Sequence, residues 1–286
     1  GILRASHLHG AADQVRAFDS DMPLIINDFT YNIGAPRQNV KHQLARIKGF
    51  KTIENFGTLS LQYDYQQNNR FEFDIRRGDD KDKAAIDLKL GTHTFLLDFE
   101  NNFERQLNIK SGVMTRYQNN FANPNTGVRR LIPDYDKYDL GIYLLGDYTL
   151  NDRWLLEAGA RFDYTQMDVY KYYRTSFWEE RNYDILYPEI VVDDLGTQVL
   201  ANPNLKFHNA SATVGAKYSF NDDYHLFLNY ALASRAPNPS ELFSEGLHHS
   251  GARIELGDLS FNSEVGHKIS ATLQRDHDRF SFSINP

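Results

Sequence analysis

The strongest constraint on the fold comes from one stretch of alternating residues, TLSLQYDYQQNNRFEFDIRR, at positions 58–77. From Leu59 to Ile75 nearly every odd position is apolar or aromatic, and every even position is polar. A period of two predicts a β-strand with one apolar face and one polar face. Strands of globular proteins usually contain about 5–6 residues, so the predicted strand is roughly three times longer than usual.

The same alternation recurs along the chain and predicts about ten or eleven strands in total. Further examples begin near Leu107, Tyr138, Trp154, Ala210 and Val265. In one segment the apolar positions change phase, because they are even over residues 86–90 and odd over residues 95–99. An extra residue in a strand produces such a change, so the pattern predicts a β-bulge near Gly91.

The connections between the predicted strands alternate in length. Short polar turns are predicted at residues 51–55, 101–104, 151–153, 221–223 and 276–278. Long connections are predicted at residues 10–40, 119–136, 172–204 and 235–262. Only the link at residues 77–83 is brief on the long-loop side. Short turns on one rim and long loops on the other are typical of an outer-membrane β-barrel.

Composition and missing motifs exclude several other classes of protein. The 286 residues contain no cysteine, which excludes a disulfide scaffold and a thiolate metal site. No apolar run reaches about 18 residues, so no transmembrane helix is predicted. The formal net charge of -7 argues against a nucleic-acid partner. Nucleophile elbows, phosphate-binding glycine loops and His-Glu-x-x-His motifs are missing, so we predict no enzyme, catalytic residue, cofactor or metal site.

A large soluble β-sandwich is the alternative fold, because both architectures use a period of two. Three features favour the barrel. The strands are long, the short turns and long loops fall on opposite rims, and the apolar face mixes Ala and Gly with aromatic residues. We therefore predict an all-β fold: an antiparallel transmembrane β-barrel segment with long extracellular loops and short periplasmic turns. Its apolar face would contact lipid, and its polar face would line water.

The most specific motif is LNYALASRAPNPSELFSEGLHHSGARIELGDLSFNSE at residues 228–264. An Arg-x-Pro element at Arg235 is followed by Glu-Leu-Phe-x-x-Gly-x-His, from Glu241 to His248, and by Glu-x-Gly at Glu255. This pattern resembles the barrel of TonB-dependent outer-membrane receptors, although the spacing before Glu264 is wider than in the family. The segments RASHLHG, EFDIRRGD and NTGVRRLIPDYDKYDLG resemble the same receptors, so the resemblance covers most of the chain.

The resemblance implies a barrel of about 22 strands, closed around an N-terminal plug domain that follows a TonB-box peptide. Neither a plug nor a TonB box is found in the sequence. We therefore interpret residues 1–286 as a partial barrel domain with about half of the strands, interrupted at both ends. A half-barrel would leave two open strand edges, which lipid does not tolerate.

The resemblance also implies a function. Receptors of this family lie in the outer membrane of Gram-negative bacteria and import scarce nutrients with energy that the TonB complex supplies through the N-terminal region. A ferric siderophore or similar metal chelate is the default ligand, and vitamin, haem, metal and glycan ligands stay open. Membrane lipid and lipopolysaccharide are the expected surroundings. A passive porin-like channel and a surface-binding barrel are the alternative functions.

Candidate ligand-binding residues lie in two predicted loops. Arg129, Arg130 and Tyr135 lie near the predicted outer mouth, where arginine and aromatic side chains can bind an anionic chelate. The alternative is that these arginines are solvated loop charges. The candidate ligand-binding residues are Arg129, Arg130, Tyr135, Arg235, Glu241, His248 and His249.

The motif loop supplies the second group of candidates. Arg235, Glu241 and Glu245 are predicted to form an ion-pair brace over the lumen, with direct contact between the loop and a ligand as the alternative. His248 and His249 follow Glu245, and imidazole is a common metal ligand. Histidines that only form hydrogen bonds are the simpler interpretation of that pair.

Overall fold

The computed structural model describes residues 15–16, 18–22, 28–31, 34–76, 80, 82–101, 106–248 and 253–285. The first strands are β1 Arg37–Ile53, β2 Gly57–Phe73, β3 Ile86–Asn101, β4 Leu107–Ala122, β5 Asp134–Asn151 and β6 Trp154–Arg174. They are followed by β7 Val191–Asp194, β8 Gln198–Ala201, β9 Asn204–Ser219, β10 Tyr224–Arg235, β11 Glu245–His248, β12 Arg253–Leu256, β13 Glu264–Arg275 and β14 Phe282–Ile284. The short helices are α1 Thr175–Glu180, α2 Tyr183–Leu186 and α3 Pro239–Phe243.

The main sheet is an antiparallel meander in chain order, β1-β2-β3-β4-β5-β6-β9-β10-β13-β14. Within the described residues β1 and β14 each pair with one neighbour, so the sheet stays open at both edges. The short strands β7 and β8 extend the sheet beside β6, and β11 and β12 form a separate hairpin. This architecture confirms the predicted all-β barrel segment and its approximate number of strands.

The two rims of the sheet differ as predicted. On one rim, residues 54–56, 152–153 and 220–223 form short turns. On the other rim, the connections at residues 123–133 and 175–203 are long, and the longest strand, β6, extends to that rim with 21 residues. In the part of the chain that the structure describes, no helix has the length and apolarity needed to cross a membrane.

The outward face of the strands carries an apolar band whose height matches the hydrocarbon layer of a membrane. On β5, Tyr138 and Tyr148 share the outward face and are ten positions apart, as are Trp154 and Tyr164 on β6. At a rise of about 3.4 Å per residue and a tilt of about 40°, ten residues span roughly 25 Å. The outward side chains between the two tyrosines of β5 include Leu140, Ile142 and Leu144. Aromatic side chains therefore mark both edges of an apolar band.

The predicted bulge near Gly91 is wrong. Gly91 pairs with Gln67 on β2 and with Asn119 on β4, and both registers continue unbroken on either side of it. The even residues of β3 face inward along the whole strand, with Ile86 buried at the long-loop end. The change in the sequence pattern arises because the inward face of β3 becomes apolar where it packs under the loops.

The strand β6 shows the same change. Its inward residues are polar at Arg161 and Asp163, and they become apolar at Met167, Val169 and Tyr173. Met167 and Val169 are fully buried. The inner face therefore lines a polar interior near the short turns and supports a hydrophobic core near the long loops.

That core belongs to what we call the loop cap, which consists of residues 123–133, 175–203, 236–248 and 253–263 with the long-loop ends of β5 and β6. The buried core residues are Tyr135, Met167, Val169, Tyr173, Phe177, Trp178, Tyr183, Val199, Ala201, Leu242, Phe243 and Leu259. Tyr173 stacks on Phe177 at a ring separation of 6.1 Å, and Trp178 packs edge-on against Tyr183 at 5.3 Å. Burial of large aromatic side chains makes the cap a packed unit.

Candidate functional site

A buried carboxylate, Glu245, connects three parts of the loop cap. Its side chain is 1% exposed, and its Oε1 atom accepts from Arg129 of the β4–β5 connection. Lys171 Nζ lies 3.3 Å from Oε2, and Arg174 Nε lies 3.5 Å from Oε1. An isolated buried charge costs several kcal/mol, so these three cations offset the cost of burying the Glu245 carboxylate inside the cap. Lys171 also donates to the carbonyl of Phe243 at 2.6 Å.

A second ion pair holds the start of the β10–β13 connection. Arg235, the last residue of β10, donates two hydrogen bonds of 2.9 Å to Glu241, and its Nη2 atom lies 2.6 Å from Glu264. Asn238 caps α3, with Pro239 at its first position, and Glu241 completes the capping box. The hydrogen bond from Arg235 and the backbone N–H of Asn238 lower the pKa of Glu241 below its ordinary value.

A third cluster joins the β6–β9 connection to the β10–β13 connection. Arg181 Nη1 lies 2.9 Å from Asp258, and the Tyr183 hydroxyl donates to the same carboxylate at 2.9 Å. The Tyr183 oxygen accepts from the backbone N–H of Leu259 at 3.0 Å. Burial, together with the neighbouring Asp258 carboxylate, raises the pKa of Tyr183 to about 12. The two longest connections are therefore joined by polar contacts as well as by the aromatic core.

The β11–β12 hairpin is attached to the end of β2 through a histidine. His248 Nδ1 lies 2.9 Å from Glu255 on the adjacent strand, and His248 Nε2 lies 3.1 Å from the fully buried Glu72. Arg70 contacts both Glu72 and His248, the latter at 2.6 Å from Nε2. The histidine therefore forms part of a charged network that connects β2 with the hairpin.

Below the loop cap, ion pairs line the inward face of the sheet. Arg46 Nε lies 2.5 Å from Asp64, and Arg116 Nε lies 2.9 Å from Asp139. The inward tyrosine Tyr143 donates to an aspartate on β3 at 2.7 Å. Ion pairs that stay in contact with water have a smaller desolvation cost than ion pairs in an apolar core. This inward face therefore suits a water-filled interior.

The sequence also matches a known family along nearly its whole length. A family model described as TonB dependent receptor-like, beta-barrel matches residues 10–285. The chain belongs to the TonB-dependent receptor family. It is a segment of a β-barrel of the bacterial outer membrane, which confirms the family and the location predicted from the sequence.

Solved structures of TonB-dependent receptors share this fold at low sequence identity. The copper transporter OprC is 14% identical with a TM-score of 0.57, and the match covers 84% of this chain and 38% of OprC. The FrpB iron transporter of Neisseria meningitidis is 12% identical with a TM-score of 0.57, over 87% and 36% of the two chains. The Serratia marcescens hemophore receptor HasR is 11% identical with a TM-score of 0.56, over 84% and 37%. No curated protein matches the sequence.

This chain therefore spans somewhat more than a third of the length of these receptors.

Its candidate residues Arg129 and Arg130 are adjacent in sequence but bind different carboxylates, Glu245 and Asp134 respectively. Tyr135 is 7% exposed in the cap core, and its hydroxyl donates to a glutamine of β4 at 3.1 Å. The ligand-binding role of these three residues stays a prediction.

The predicted brace in this receptor segment is partly wrong. Arg235 and Glu241 do pair, but Glu264 completes their cluster in place of Glu245, because Glu245 binds the cations of the β4–β5 connection and β6. His248 pairs with glutamates, and His249 lies outside the described residues. Ligand contacts by these residues likewise stay a prediction.

Sequence reasoning missed Lys171, Arg174 and Glu72. Lys171 could have been recognised in the sequence, because this charged residue lies on the inward face of β6 between the apolar residues Val169 and Tyr173. A lysine in that position requires a buried partner, but the partner, Glu245, lies far away in sequence. Within the described residues, no cluster of three or more histidine or carboxylate side chains has the arrangement of a metal site.

Proposed function

We propose that this chain is part of a receptor that captures a scarce extracellular nutrient and imports it into the periplasm with energy from the TonB complex. The proposed nutrient is a ferric siderophore or a similar metal chelate. The family match over residues 10–285 carries the proposal. Iron and copper transporters and a hemophore receptor among the structural neighbours support a metal-containing ligand, as a property of those proteins.

In this proposal the loop cap is the capture surface and the inward face of the barrel is the route. The cap has exposed cations on a packed support: the side chains of Arg129 and Arg174 are 32% and 54% exposed although both contact buried Glu245. Cations held in this way are positioned for an anionic chelate at low entropic cost. Residues 1–286 would form part of one barrel domain, and the TonB complex would act on the N-terminal region of the whole receptor.

The test uses the full-length receptor in its own bacterium. Deletion of the gene is expected to abolish growth on one ferric siderophore as sole iron source, and uptake of the radioactive iron complex is expected to require TonB. A panel of hydroxamate, catecholate and carboxylate chelates, with haem and vitamin B12 added, identifies the ligand. Uptake that persists without TonB, together with steady ion conductance, would favour a passive channel.

A matched pair of variants tests the capture surface itself. Arg174→Gln removes an exposed cation of the cap, whereas Arg153→Gln removes a cation from the short-turn rim of the same strand hairpin. The first variant is expected to weaken binding of the anionic chelate about tenfold, the loss typical of one charge-assisted hydrogen bond. The second is expected to leave binding unchanged. Equal effects of the two variants would mean that the cap does not contact the ligand.

A further inference from the structure

The β6–β9 connection, residues 175–203, presents a surface to solvent that is both apolar and acidic. Its inner side packs into the cap core through residues such as Trp178 and Tyr183. Its outer side leaves four large apolar side chains between 54% and 72% exposed, those of Ile185, Leu186, Val192 and Leu195. Only four residues join α2 to β7, so these side chains lie close together. A contiguous group of exposed apolar side chains marks an interaction site, whereas single ones do not.

The strand β7 forms a free edge of the sheet at this surface. β8 pairs with β6 on one side and with β7 on the other, and within the described residues β7 pairs with β8 alone. An edge strand presents backbone groups that can pair with another chain. The turn after β7 is fixed, because the Thr175 hydroxyl donates to the Gly196 carbonyl at 2.7 Å and the Thr175 N–H donates to Thr197 at 3.1 Å. A preorganised edge lowers the entropic cost of binding.

This surface lies outside the membrane. β8 pairs with residues 171–174 of β6, which are seven to ten positions beyond Tyr164 at the aromatic edge of the apolar band. At about 3.3 Å per residue and a tilt of about 40°, these residues lie roughly 18–25 Å above that edge. The polar headgroup layer is only about 5–8 Å deep. A partner of this surface therefore comes from the extracellular medium and not from the lipid layer.

The charge of the surface favours a basic partner. The β6–β9 connection contains six carboxylates and one basic residue, Arg181, which pairs with Asp258. The carboxylates belong to Glu179, Glu180, Asp184, Glu189, Asp193 and Asp194. All six residues are exposed, and none of them forms an ion pair within the described part of the chain. Charges of one sign that lack partners attract a ligand of the opposite sign and repel an anionic membrane surface.

The same charges argue against two other occupants. If a second copy of the chain paired with β7 edge to edge, Asp193 and Asp194 would meet the like charges of their counterparts. A metal ion needs several carboxylates around one point, and the described residues contain no group of that kind. A basic polypeptide fits both the free backbone edge and the charge.

We propose that the free edge of β7 binds an extended segment of a basic extracellular protein, which adds to the sheet as a further strand. The backbone of the segment pairs with β7, and its lysine or arginine side chains meet Asp193 and Asp194. Its apolar side chains cover Val192 and Leu195. The site does not depend on the nutrient that the receptor imports, so it stands whether or not the proposed transport function is correct.

The experiment uses the full-length receptor in phosphatidylcholine nanodiscs, whose neutral surface does not attract a basic peptide. Three labelled octapeptides are compared by fluorescence anisotropy. The first alternates lysine with valine, the second has glutamate in place of each lysine, and the third is the lysine peptide with every peptide nitrogen methylated, which removes the N–H donors. The first peptide is expected to bind about tenfold more tightly than either of the others.

A matched pair of double variants locates the site. Asp193→Asn/Asp194→Asn should weaken binding of the lysine peptide about tenfold and remove its advantage over the glutamate peptide. Asp222→Asn/Asp223→Asn removes the same two charges from the short turn after β9, at the opposite rim, and should leave binding unchanged. Leu195→Ser should weaken binding severalfold and keep the preference for lysine, because it removes only an apolar contact.

Several results would overturn the proposal. Equal binding of the lysine and glutamate peptides would exclude selection by charge, and equal binding of the methylated peptide would exclude strand pairing. A preference that survives Asp193→Asn/Asp194→Asn would place the site elsewhere. Receptor dimers that dissociate on Ile185→Asn would assign the surface to a second copy, and displacement of the lysine peptide by micromolar calcium would assign it to a metal ion.

Discussion

The two ends of β6 differ in which face carries the apolar side chains. Near the short turns the outward Phe162 is apolar and 45% exposed, and the inward Arg161 forms an ion pair with Asp163. Near the long loops the inward Val169 is fully buried, and the outward Tyr170 is 52% exposed. The backbone is the same in both halves. The difference shows that the surroundings, lipid outside and a packed cap inside, decide which face of a strand is apolar.

The two regions are also held together by different interactions. The barrel wall relies on continuous backbone pairing, such as the unbroken register of β1 with β2 from Arg37 to Ile53. The loop cap relies on buried side chains and on charges such as Glu245, which connect segments that are distant in sequence. Substitutions in the core of the loop cap should therefore destabilise the cap and leave the barrel wall folded. Substitutions on the lipid face should destabilise the wall and leave the cap packed.

The largest expected effect is that of Glu245→Ala. This change leaves Lys171, which is 5% exposed, as a buried cation without its carboxylate, at a cost of about 3–5 kcal/mol. The cap should open, and trypsin should cut at Arg181 in the full-length receptor while the barrel keeps its heat-resistant gel migration. The double variant Glu245→Gln/Lys171→Met should regain much of the protease resistance. Loss of the barrel in either variant would contradict the separation of the two regions.

The two tryptophans offer a matched comparison between the regions. Trp178 is 2% exposed in the cap core, whereas Trp154 is 38% exposed at the short-turn end of β6. Trp178→Ala should destabilise the cap by about 3–5 kcal/mol because it creates a cavity. Trp154→Ala should cost much less, since lipid and detergent can fill the space. Hydrogen exchange of residues 175–203 measures the difference, and equal protection in the two variants would contradict the proposed cap core.

A charge on the barrel wall should have the opposite selectivity. Ala212 is outward on β9 and its neighbour Thr213 is inward. Ala212→Arg should destabilise the folded barrel by about 2–4 kcal/mol in bilayers, because the charge enters the hydrocarbon layer. Thr213→Arg should be tolerated in the polar interior. Urea unfolding of the full-length receptor in lipid vesicles compares the two, and equal losses would mean that the faces have been assigned incorrectly.

The smallest expected effect concerns Glu241 and depends on pH. Its pKa in the folded protein is lower than the ordinary value of 4.5, because Arg235 and the N–H of Asn238 bind the ionised form. The stabilisation is fully present above pH 4.5 and is lost as the pH falls through the folded pKa. Glu241→Gln should therefore increase hydrogen exchange in α3 at pH 7, and the difference from the unaltered receptor should disappear at acid pH. A difference that persists there would exclude the ion pair as its cause.

The two-residue alternation, as from Leu59 to Ile75, was sufficient to predict the long strands and their faces, and the lengths of the connections predicted the two kinds of rim, because these features can be read along the sequence. The same reasoning produced the false bulge at Gly91, since it assumed that an apolar residue faces lipid everywhere. It also placed Glu245 with Arg235, because both belong to one motif. The actual partners of Glu245 lie on other strands and connections, which a single sequence does not reveal.

Local patterns therefore determine the barrel and the family of this chain, because a two-residue period, turn residues and a contiguous motif are all readable along one strand or loop. Tertiary structure decides which arginine meets which carboxylate, where the inward face changes from polar to apolar, and why β7 has a free edge beside β8. The physical reason is that burial and charge pairing depend on segments brought together only when the strands are side by side and the loops pack over them.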